Sequence, residues 1–167
     1  KKVQEEKAAR RKRAQDAIGI PLPIAAKPIR AEHTFEPVWD GRSRKLILGT
    51  FPSVKSRETE FYYGHPRNRF WKVIAALYHA PVPQTIEEKK CLLLDNGIAL
   101  WDVVQSCDIR GSSDSSIRNV IPADIKGLLE RSNIAEVYTN GDTAFRLYRK
   151  YCEKETGKKA VKLPSTS

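Results

Sequence analysis

The sequence predicts an α/β fold, a three-layer α/β/α sandwich around a four-stranded, mainly parallel sheet. Two observations predict it. Beyond about residue 30, short apolar runs of strand length alternate with stretches whose apolar residues recur at helical spacing, and the runs end in turns rich in Gly, Pro or Asn. Strands that alternate with helices favour a parallel sheet covered on both faces, and such sheets bind ligands at the carboxyl ends of their strands.

The first part of this pattern supplies two strands and two helices. Residues 45–48 form an apolar run that enters a Gly/Pro turn at 49–53, which is typical of a short buried strand. Residues 70–77 have helical spacing, and a second helix is predicted over 86–95. The apolar run 97–104 that follows is predicted to be the second strand.

The second part supplies two more of each. Pro122 is predicted to open a helix that ends at residue 130, because proline is favoured where the first helical N–H has no partner. Residues 135–139 form the third strand, 142–153 a helix, and 160–163 the fourth strand. The turns after the first, third and fourth strands would then open onto one edge of the sheet.

The positive charge of the chain is unevenly distributed. The formal net charge is +10 and the isoelectric point is about 9.6. Residues 1–30 contain nine cations and three anions, and therefore hold +6 of that charge. We predict a basic N-terminal arm and linker over residues 1–30 and one domain over 31–167. A basic surface attracts phosphates without regard to sequence, which favours a polyanionic partner.

The cysteines and the hydropathy bear on location. Cys91, Cys107 and Cys152 stand far apart without a CxxC pair, which argues against a zinc site and a disulfide framework. A reducing compartment inside the cell is expected, the cytoplasm in a bacterium and otherwise the nucleus. No apolar stretch approaches the roughly 18 to 20 residues that cross a bilayer, so no membrane association is expected.

The segment 62–71, Tyr-Tyr-Gly-His-Pro-Arg-Asn-Arg-Phe-Trp, carries the strongest chemical signal. Its last two rings are expected to be the first buried residues of the following helix, and His65 is expected to be structural. Tyr63 and Asn68 precede the helix in a segment that must cross the ligand edge. An aromatic side chain that stacks and an amide that hydrogen-bonds are what a pocket for a flat ring requires.

Other polar residues near the predicted strand ends are more ambiguous. Asn140 follows the third strand and is a secondary candidate for the ligand edge. The loop 106–116 contains Arg110 and several hydroxyls, which favours either phosphate contact or an ordinary loop that ends in a helix cap. Asp102 and Asp108 are expected to be structural hydrogen-bonding groups rather than a catalytic carboxylate pair.

Four motifs, in this order, resemble those of the uracil-DNA glycosylase superfamily, most closely its hypoxanthine (deoxyinosine) DNA glycosylase branch. They are residues 49–53 (Gly-Thr-Phe-Pro-Ser), 62–71, 100–104 (Leu-Trp-Asp-Val-Val) and 163–167 (Leu-Pro-Ser-Thr-Ser). The likeness covers about residues 35–167. It implies a DNA repair enzyme that hydrolyses the N-glycosidic bond of deaminated bases, hypoxanthine before uracil, in base excision.

The resemblance also implies roles for single residues. The mismatch-specific uracil/thymine glycosylases have a water-positioning asparagine at the middle of the first motif, where this chain has Phe51. The resemblance to the hypoxanthine branch implies that Asn68 is the catalytic asparagine here. It would either orient water or donate a hydrogen bond to the departing base. Tyr63 is implied to stack on the base. The closing motif ends at Ser167, so we expect the domain to be truncated at its C-terminus.

We expect a monofunctional, monomeric glycosylase that acts on DNA without a metal or organic cofactor. The expected catalytic residue is Asn68. The expected base-binding residues are Gly49, Thr50, Phe51, Ser53, Tyr63 and Asn140. The expected DNA contacts are Arg67, Arg69, Arg110, Pro164, Ser165, Thr166 and Ser167.

The sequence also fits three alternative functions. Phe51 favours a non-enzymatic nucleic-acid-binding domain that kept the glycosylase fold and lost the chemistry. A glycosylase of the uracil/thymine mismatch type is the second alternative. An esterase-like hydrolase with Ser53 or Ser165 as the nucleophile is the third, and it is disfavoured because the chain has no Gly-x-Ser-x-Gly elbow.

Overall fold

The structure is a computed structural model that describes residues 27–167. Most of the predicted basic arm and linker, residues 1–26, lies outside the described residues, so the arm and the domain boundary near residue 30 stay predictions. None of the helices within residues 27–167 is long and apolar enough to cross a membrane.

The elements of the described chain follow one another with short connections. The strands are β1 (Ile29–Glu32), β2 (Lys45–Gly49), β3 (Ile98–Asp102), β4 (Val104–Ile109), β5 (Arg118–Pro122), β6 (Glu136–Asn140) and β7 (Ala160–Leu163). The helices are α1 (Val54–Thr59), α2 (Phe70–Leu77), α3 (Ile86–Asp95), α4 (Ile125–Arg131), α5 (Asp142–Tyr151) and α6 (Glu153–Thr156).

A four-stranded parallel sheet in the order β3-β2-β6-β7 forms the centre of the fold. β2 pairs in parallel with β3 and with β6, and β6 pairs in parallel with β7. All residues of β3 are buried. Because successive side chains of a strand point to opposite faces, this part of the sheet is covered on both faces. The predicted α/β class with a four-stranded parallel sheet is confirmed.

A second sheet, antiparallel and in the order β1-β4-β5, was not predicted. The prediction of one strand over 97–104 was wrong, because the run is divided between the two sheets. Val103 lies at the division. Its N–H donates to the carbonyl of Gly49 at 2.9 Å and its carbonyl accepts the N–H of Ala123 at 2.8 Å. The parts of the run before and after Val103 are both largely apolar and buried. The hydropathy pattern therefore does not show where the chain passes from one sheet to the other.

Two predicted helix boundaries also differ from the structure. Pro122 ends β5 instead of opening a helix, and α4 begins only after Asp124, whose carboxylate accepts the N–H of Gly127 at 3.0 Å. The local signal of Pro122 was thus overridden by pairing with β4. The predicted helix 142–153 is interrupted at Cys152 and resumes as α6.

The turn after β2 leads directly into α1, a helix that was not predicted. Ser53 caps this helix, because its Oγ accepts the N–H of Ser56 at 3.1 Å. The Oγ of Ser56 in turn accepts the N–H of Gly64 at 3.0 Å. Through these hydrogen bonds, α1 holds the segment 62–68 against the turn at the end of β2.

Candidate active site

A cavity of about 440 Å³ lies at the carboxyl ends of β2, β3 and β6, the edge at which the sequence predicted a ligand. Its volume falls within the range of about 300 to 1,000 Å³ that small-molecule sites occupy. The predicted site residues that line it are Gly49, Thr50, Phe51, Ser53, Tyr63, Arg67, Asn68, Asn140, Ser165, Thr166 and Ser167.

Three predicted DNA contacts do not line this cavity. Arg69 and Pro164 border a neighbouring apolar groove instead. Arg110 is exposed, and its backbone N–H closes the local loop by donating to the Oγ of Ser116 at 2.9 Å. The predicted loop 106–116 also begins later than expected, since residues 106–109 belong to β4.

The amide of Asn68 is oriented by its neighbours. Its Oδ1 accepts the backbone N–H of Phe70 at 2.9 Å and the hydroxyl of Thr166 at 2.8 Å. A backbone N–H can only donate, so the oxygen must occupy this side of the amide. The Nδ2 group makes no hydrogen bond with any residue of 27–167, and the half-buried side chain lines the cavity. Asn68 therefore presents donors to a ligand.

Asn140 joins the closing segment of the chain to Tyr63. Its Nδ2 donates to the hydroxyl of Tyr63 at 3.1 Å and to the Oγ1 of Thr166 at 2.9 Å. Its Oδ1 accepts the backbone N–H of Thr166 at 3.1 Å. A continuous hydrogen-bond network along the cavity wall thus joins Tyr63, Asn140, Thr166 and Asn68.

A substitution of Thr166 tests this hydrogen-bond network most directly, because its side chain contacts both Asn68 and Asn140. The family resemblance implies base release from DNA, and on that expectation Thr166→Val should slow the release about tenfold, because it removes a donor to Asn68 and an acceptor for Asn140, each with a net value of about 0.5–1.5 kcal/mol. Single-turnover kinetics on inosine-containing duplex would measure this. Thr34→Val is the matched control, since Thr34 is exposed and its hydroxyl lies 3.5 Å from Glu60. Equal rates for the two variants would contradict the prediction.

The ring of Tyr63 is fixed from several sides. It stacks on Phe70 with centroids 4.2 Å apart and an interplanar angle of 20°. Its backbone is left-handed, with a φ of 52°, which is uncommon for a residue other than glycine. Burial raises the pKa of the Tyr63 hydroxyl far above its usual range, and the carboxylate of Asp102 adds to this shift. Tyr63 therefore stays neutral at physiological pH.

The rest of the segment 62–71 serves mainly to anchor these two residues. The last two aromatic residues, Phe70 and Trp71, are buried as predicted, and the indole of Trp71 donates to the carbonyl of Tyr62 at 3.1 Å. His65 is exposed and lines the cavity, and its Nδ1 accepts the backbone N–H of Arg67 at 3.1 Å; its structural role stays a prediction.

The middle of the turn at 49–53 is occupied by Phe51, whose side chain is apolar. Its ring is 8% exposed, lies 6.4 Å from the ring of His33 between centroids, and has the guanidinium of Arg57 5.6 Å from its centroid. The backbone N–H of Phe51 donates to no residue of the described chain. At this position only the backbone is a candidate for polar contact with a ligand.

Asp102 and His33 form a buried pair that sequence reasoning did not assign to the site. Asp102 Oδ2 lies 2.8 Å from His33 Nε2, and the two side chains are 6% and 1% exposed. The expected structural hydrogen bond of Asp102 is therefore present, but Asp102 also lines the cavity. His33 follows β1 in a segment without helical or strand periodicity, so no local pattern marked it.

The other acidic residues near this edge have different environments. Asp114 lines the cavity, and partial desolvation there raises the pKa of its carboxyl. Asp108 lies in β4, away from the cavity, and accepts from the amide of Asn119 at 2.6 Å. This hydrogen bond lowers the pKa of Asp108. Asp102 and Asp108 thus do not form a carboxylate pair.

The parallel sheet with an amide-lined cavity at its carboxyl edge defines an α/β protein whose candidate site lies at the strand ends. Comparison with known families gives the particular class. Residues 37–167 match the family model described as the uracil DNA glycosylase superfamily, and the chain belongs to that superfamily.

Individual relatives agree with this membership. A hypoxanthine DNA glycosylase of Methanosarcina acetivorans is 37% identical over 97 residues, which cover 58% of this chain and 61% of the relative. One of Methanosarcina barkeri is 36% identical over 87 residues, covering 51% and 54%. The chain thus spans less than two thirds of the curated relatives it matches.

A solved structure supports the fold. The solution NMR structure of a candidate uracil DNA glycosylase from Methanosarcina acetivorans has a TM-score of 0.71 and 31% identity to this chain. The match covers 83% of this chain and 86% of the other.

Proposed function

We propose that this protein is a DNA glycosylase that hydrolyses the N-glycosidic bond of deaminated bases, with hypoxanthine preferred to uracil. The observation that carries the proposal is the amide of Asn68, whose oxygen is occupied by Phe70 and Thr166 while its nitrogen faces the cavity. The names of the two Methanosarcina relatives support the choice of hypoxanthine.

The chemistry of the reaction explains why such an amide is needed. The enzyme extrudes the base from the duplex at a cost of about a few kcal/mol and holds it by stacking and edge contacts. Bond cleavage then leaves negative charge on the base. Preorganised N–H groups stabilise developing negative charge most effectively where water is excluded. In this proposal Asn68 donates to the departing base rather than orienting water through its oxygen, and Tyr63 provides the stacking surface.

The positive charge supplies affinity for DNA. Arg67 at the cavity wall is exposed, and the closing residues Ser165 and Ser167 line the same cavity. We propose that these residues contact the DNA backbone next to the flipped base, together with Arg69, which is also exposed. We further propose that the protein is monofunctional, monomeric and located inside the cell, and that it uses no metal or organic cofactor.

The direct test is single-turnover release of free base from synthetic duplexes that contain one inosine or one uracil. We expect hypoxanthine to be released fastest and uracil more slowly. Undamaged duplex of the same sequence is the control. Release of neither base above that control would contradict the proposed activity.

Phe51 favours one alternative, a nucleic-acid-binding domain without catalysis. Its buried ring replaces the polar side chain that positions water in the mismatch-specific relatives, and the side chain at this position offers no hydrogen bond. Tight, salt-dependent binding of inosine-containing duplex without any base release would favour this alternative.

A further inference from the structure

Hydrolysis of a glycosidic bond needs a group that receives the proton of the attacking water. Asn68 is poorly suited to this, because its oxygen already accepts two hydrogen bonds. Phe51, at the middle of the turn after β2, has no polar side chain. Among the described residues that line the cavity, the carboxylates belong to Asp102 and Asp114. A carboxylate within reach of the water is the expected base at this kind of site.

The exposure of Asp114 distinguishes it from the other possible bases in the cavity lining. Asp102 is 4% exposed, and its Oδ2 lies 2.8 Å from Nε2 of His33, so its carboxylate is closed off from bulk water. His65 accepts the N–H of Arg67 through Nδ1, so in the neutral ring Nε2 carries the proton and has no lone pair to offer. Asp114 is exposed, and water can therefore reach its carboxylate.

Asp114 lies between the cavity and the residues proposed to contact DNA. A second cavity of about 510 Å³ adjoins the first, and Asp114 lines both of them. Ser165 and Ser167, which belong to the proposed DNA contacts, also line both. In an extruded nucleotide, the sugar connects the base inside its pocket to the backbone outside. A residue shared by the two cavities is therefore in a position to face the sugar.

The loop that carries Asp114 is held against α1. The N–H of Val54 donates to the Oγ of Ser112 at 2.9 Å. The guanidinium of Arg57 donates to the carbonyl of Gly111 at 2.8 Å. These hydrogen bonds fix the backbone just ahead of Asp114 to the helix that begins at the turn after β2. The carboxylate is thus carried by a supported loop, as a preorganised catalytic group requires.

We propose that Asp114 is a catalytic residue that acts on the sugar side of the scissile bond; the inference rests on the proposed function. The bond between C1′ and the base breaks, and its electron pair passes to the base, which leaves positive charge on the sugar. The carboxylate of Asp114 stabilises that charge. The oxygen of a water then forms a bond to C1′ while a proton of the water passes to Asp114. Asp114 later releases this proton to solvent, and the base takes up one proton from solvent.

Asn68 and Asp114 would act on opposite charges. The NH₂ group of Asn68 donates to the base as it becomes negative, and the carboxylate of Asp114 faces the sugar as it becomes positive. Both interactions strengthen as the bond breaks, so both favour the transition state over the bound substrate. The carboxylate contributes nothing to affinity for DNA, because it carries the same sign of charge as the phosphates.

The test is single-turnover release of hypoxanthine from inosine-containing duplex at saturating protein. We expect Asp114→Asn to slow release about 30-fold, less than the usual 10²- to 10⁴-fold of general acid–base catalysis, because a positively charged sugar reacts readily with water. Asp95→Asn makes the same change of charge at an exposed residue that ends α3 outside the cavity lining, and should keep the wild-type rate. A duplex with 2′-fluoro-2′-deoxyinosine, whose fluorine suppresses cleavage, should bind Asp114→Asn at least as tightly as the wild type.

Rescue by formate separates chemistry from structure. Asp114→Ala removes the carboxylate and leaves room for a small anion, so sodium formate should raise its rate about tenfold over sodium chloride of equal concentration, and should not raise the wild-type rate. Thermal unfolding of each variant checks the fold. An Asp114→Asn protein with the wild-type rate, or an Asp114→Ala protein that formate does not accelerate, would overturn this inference and leave the proposed activity intact. A wild-type protein that releases no base would overturn both.

Discussion

Replacement of Asn68 by alanine is expected to slow single-turnover release of hypoxanthine by about 10²- to 10³-fold, which is the usual effect of removing one preorganised donor to developing negative charge. The amide nitrogen of Asn68 is free within the described chain, while its oxygen is held by Phe70 and Thr166. Affinity for inosine-containing duplex should change little, because the donor gains most of its strength as the base departs.

Asn68→Asp distinguishes the two possible roles of this residue. Aspartate retains an oxygen for the N–H of Phe70 and the hydroxyl of Thr166, so the local structure is preserved, but it has no N–H for the base. If Asn68 donates to the base, Asn68→Asp should be as slow as Asn68→Ala. An aspartate variant with near wild-type rates would mean that Asn68 acts through its oxygen, as a water-orienting residue does.

The central sheet could be predicted from sequence because its strands are nearly continuous apolar runs flanked by helices and turns. The antiparallel sheet could not. β1 begins at Ile29, next to a segment whose Pro residues indicate a linker, and β5 pairs irregularly with β4 and is mostly exposed. The place of β5 in the antiparallel sheet depends on pairing with β4, which the local sequence pattern around Pro122 does not indicate.

The candidate site shows the same division. Asn68, Tyr63 and Asn140 could be placed at the ligand edge because each follows a strand end or precedes a helix on one side of a parallel sheet. His33 could not be placed, because the antiparallel sheet that holds it was not predicted. Its backbone N–H donates to the carbonyl of Gln105 in β4 at 2.8 Å. Arg110 follows β4 and lies outside the cavity lining, and its contact with DNA stays a prediction.

Gly49→Ala should produce the second large effect. A Cβ at this position would collide with Asp102 Oδ1 and lie 2.7 Å from the hydroxyl of Tyr63. Both distances are too short for a Cβ, so both groups or the backbone must shift, and both groups belong to the cavity wall. We expect base release to slow about 10²-fold, since a displacement of about 1 Å in a catalytic site has this effect. We also expect the free energy of unfolding to fall by about 1–3 kcal/mol, as overpacking of a buried site does.

Gly41→Ala is the matched control, because a Cβ at position 41 would meet no atom within 4 Å. Urea unfolding and single-turnover kinetics on inosine-containing duplex would be measured for both variants. A Gly49→Ala protein that loses stability but keeps the wild-type rate would mean that Asp102 and Tyr63 can shift without harm to the reaction. A loss of rate that exceeds the loss of stability when both are expressed as free energies, with Gly41→Ala unchanged, would instead mean that the reaction needs the positions that Asp102 and Tyr63 take in the cavity wall when residue 49 has no side chain.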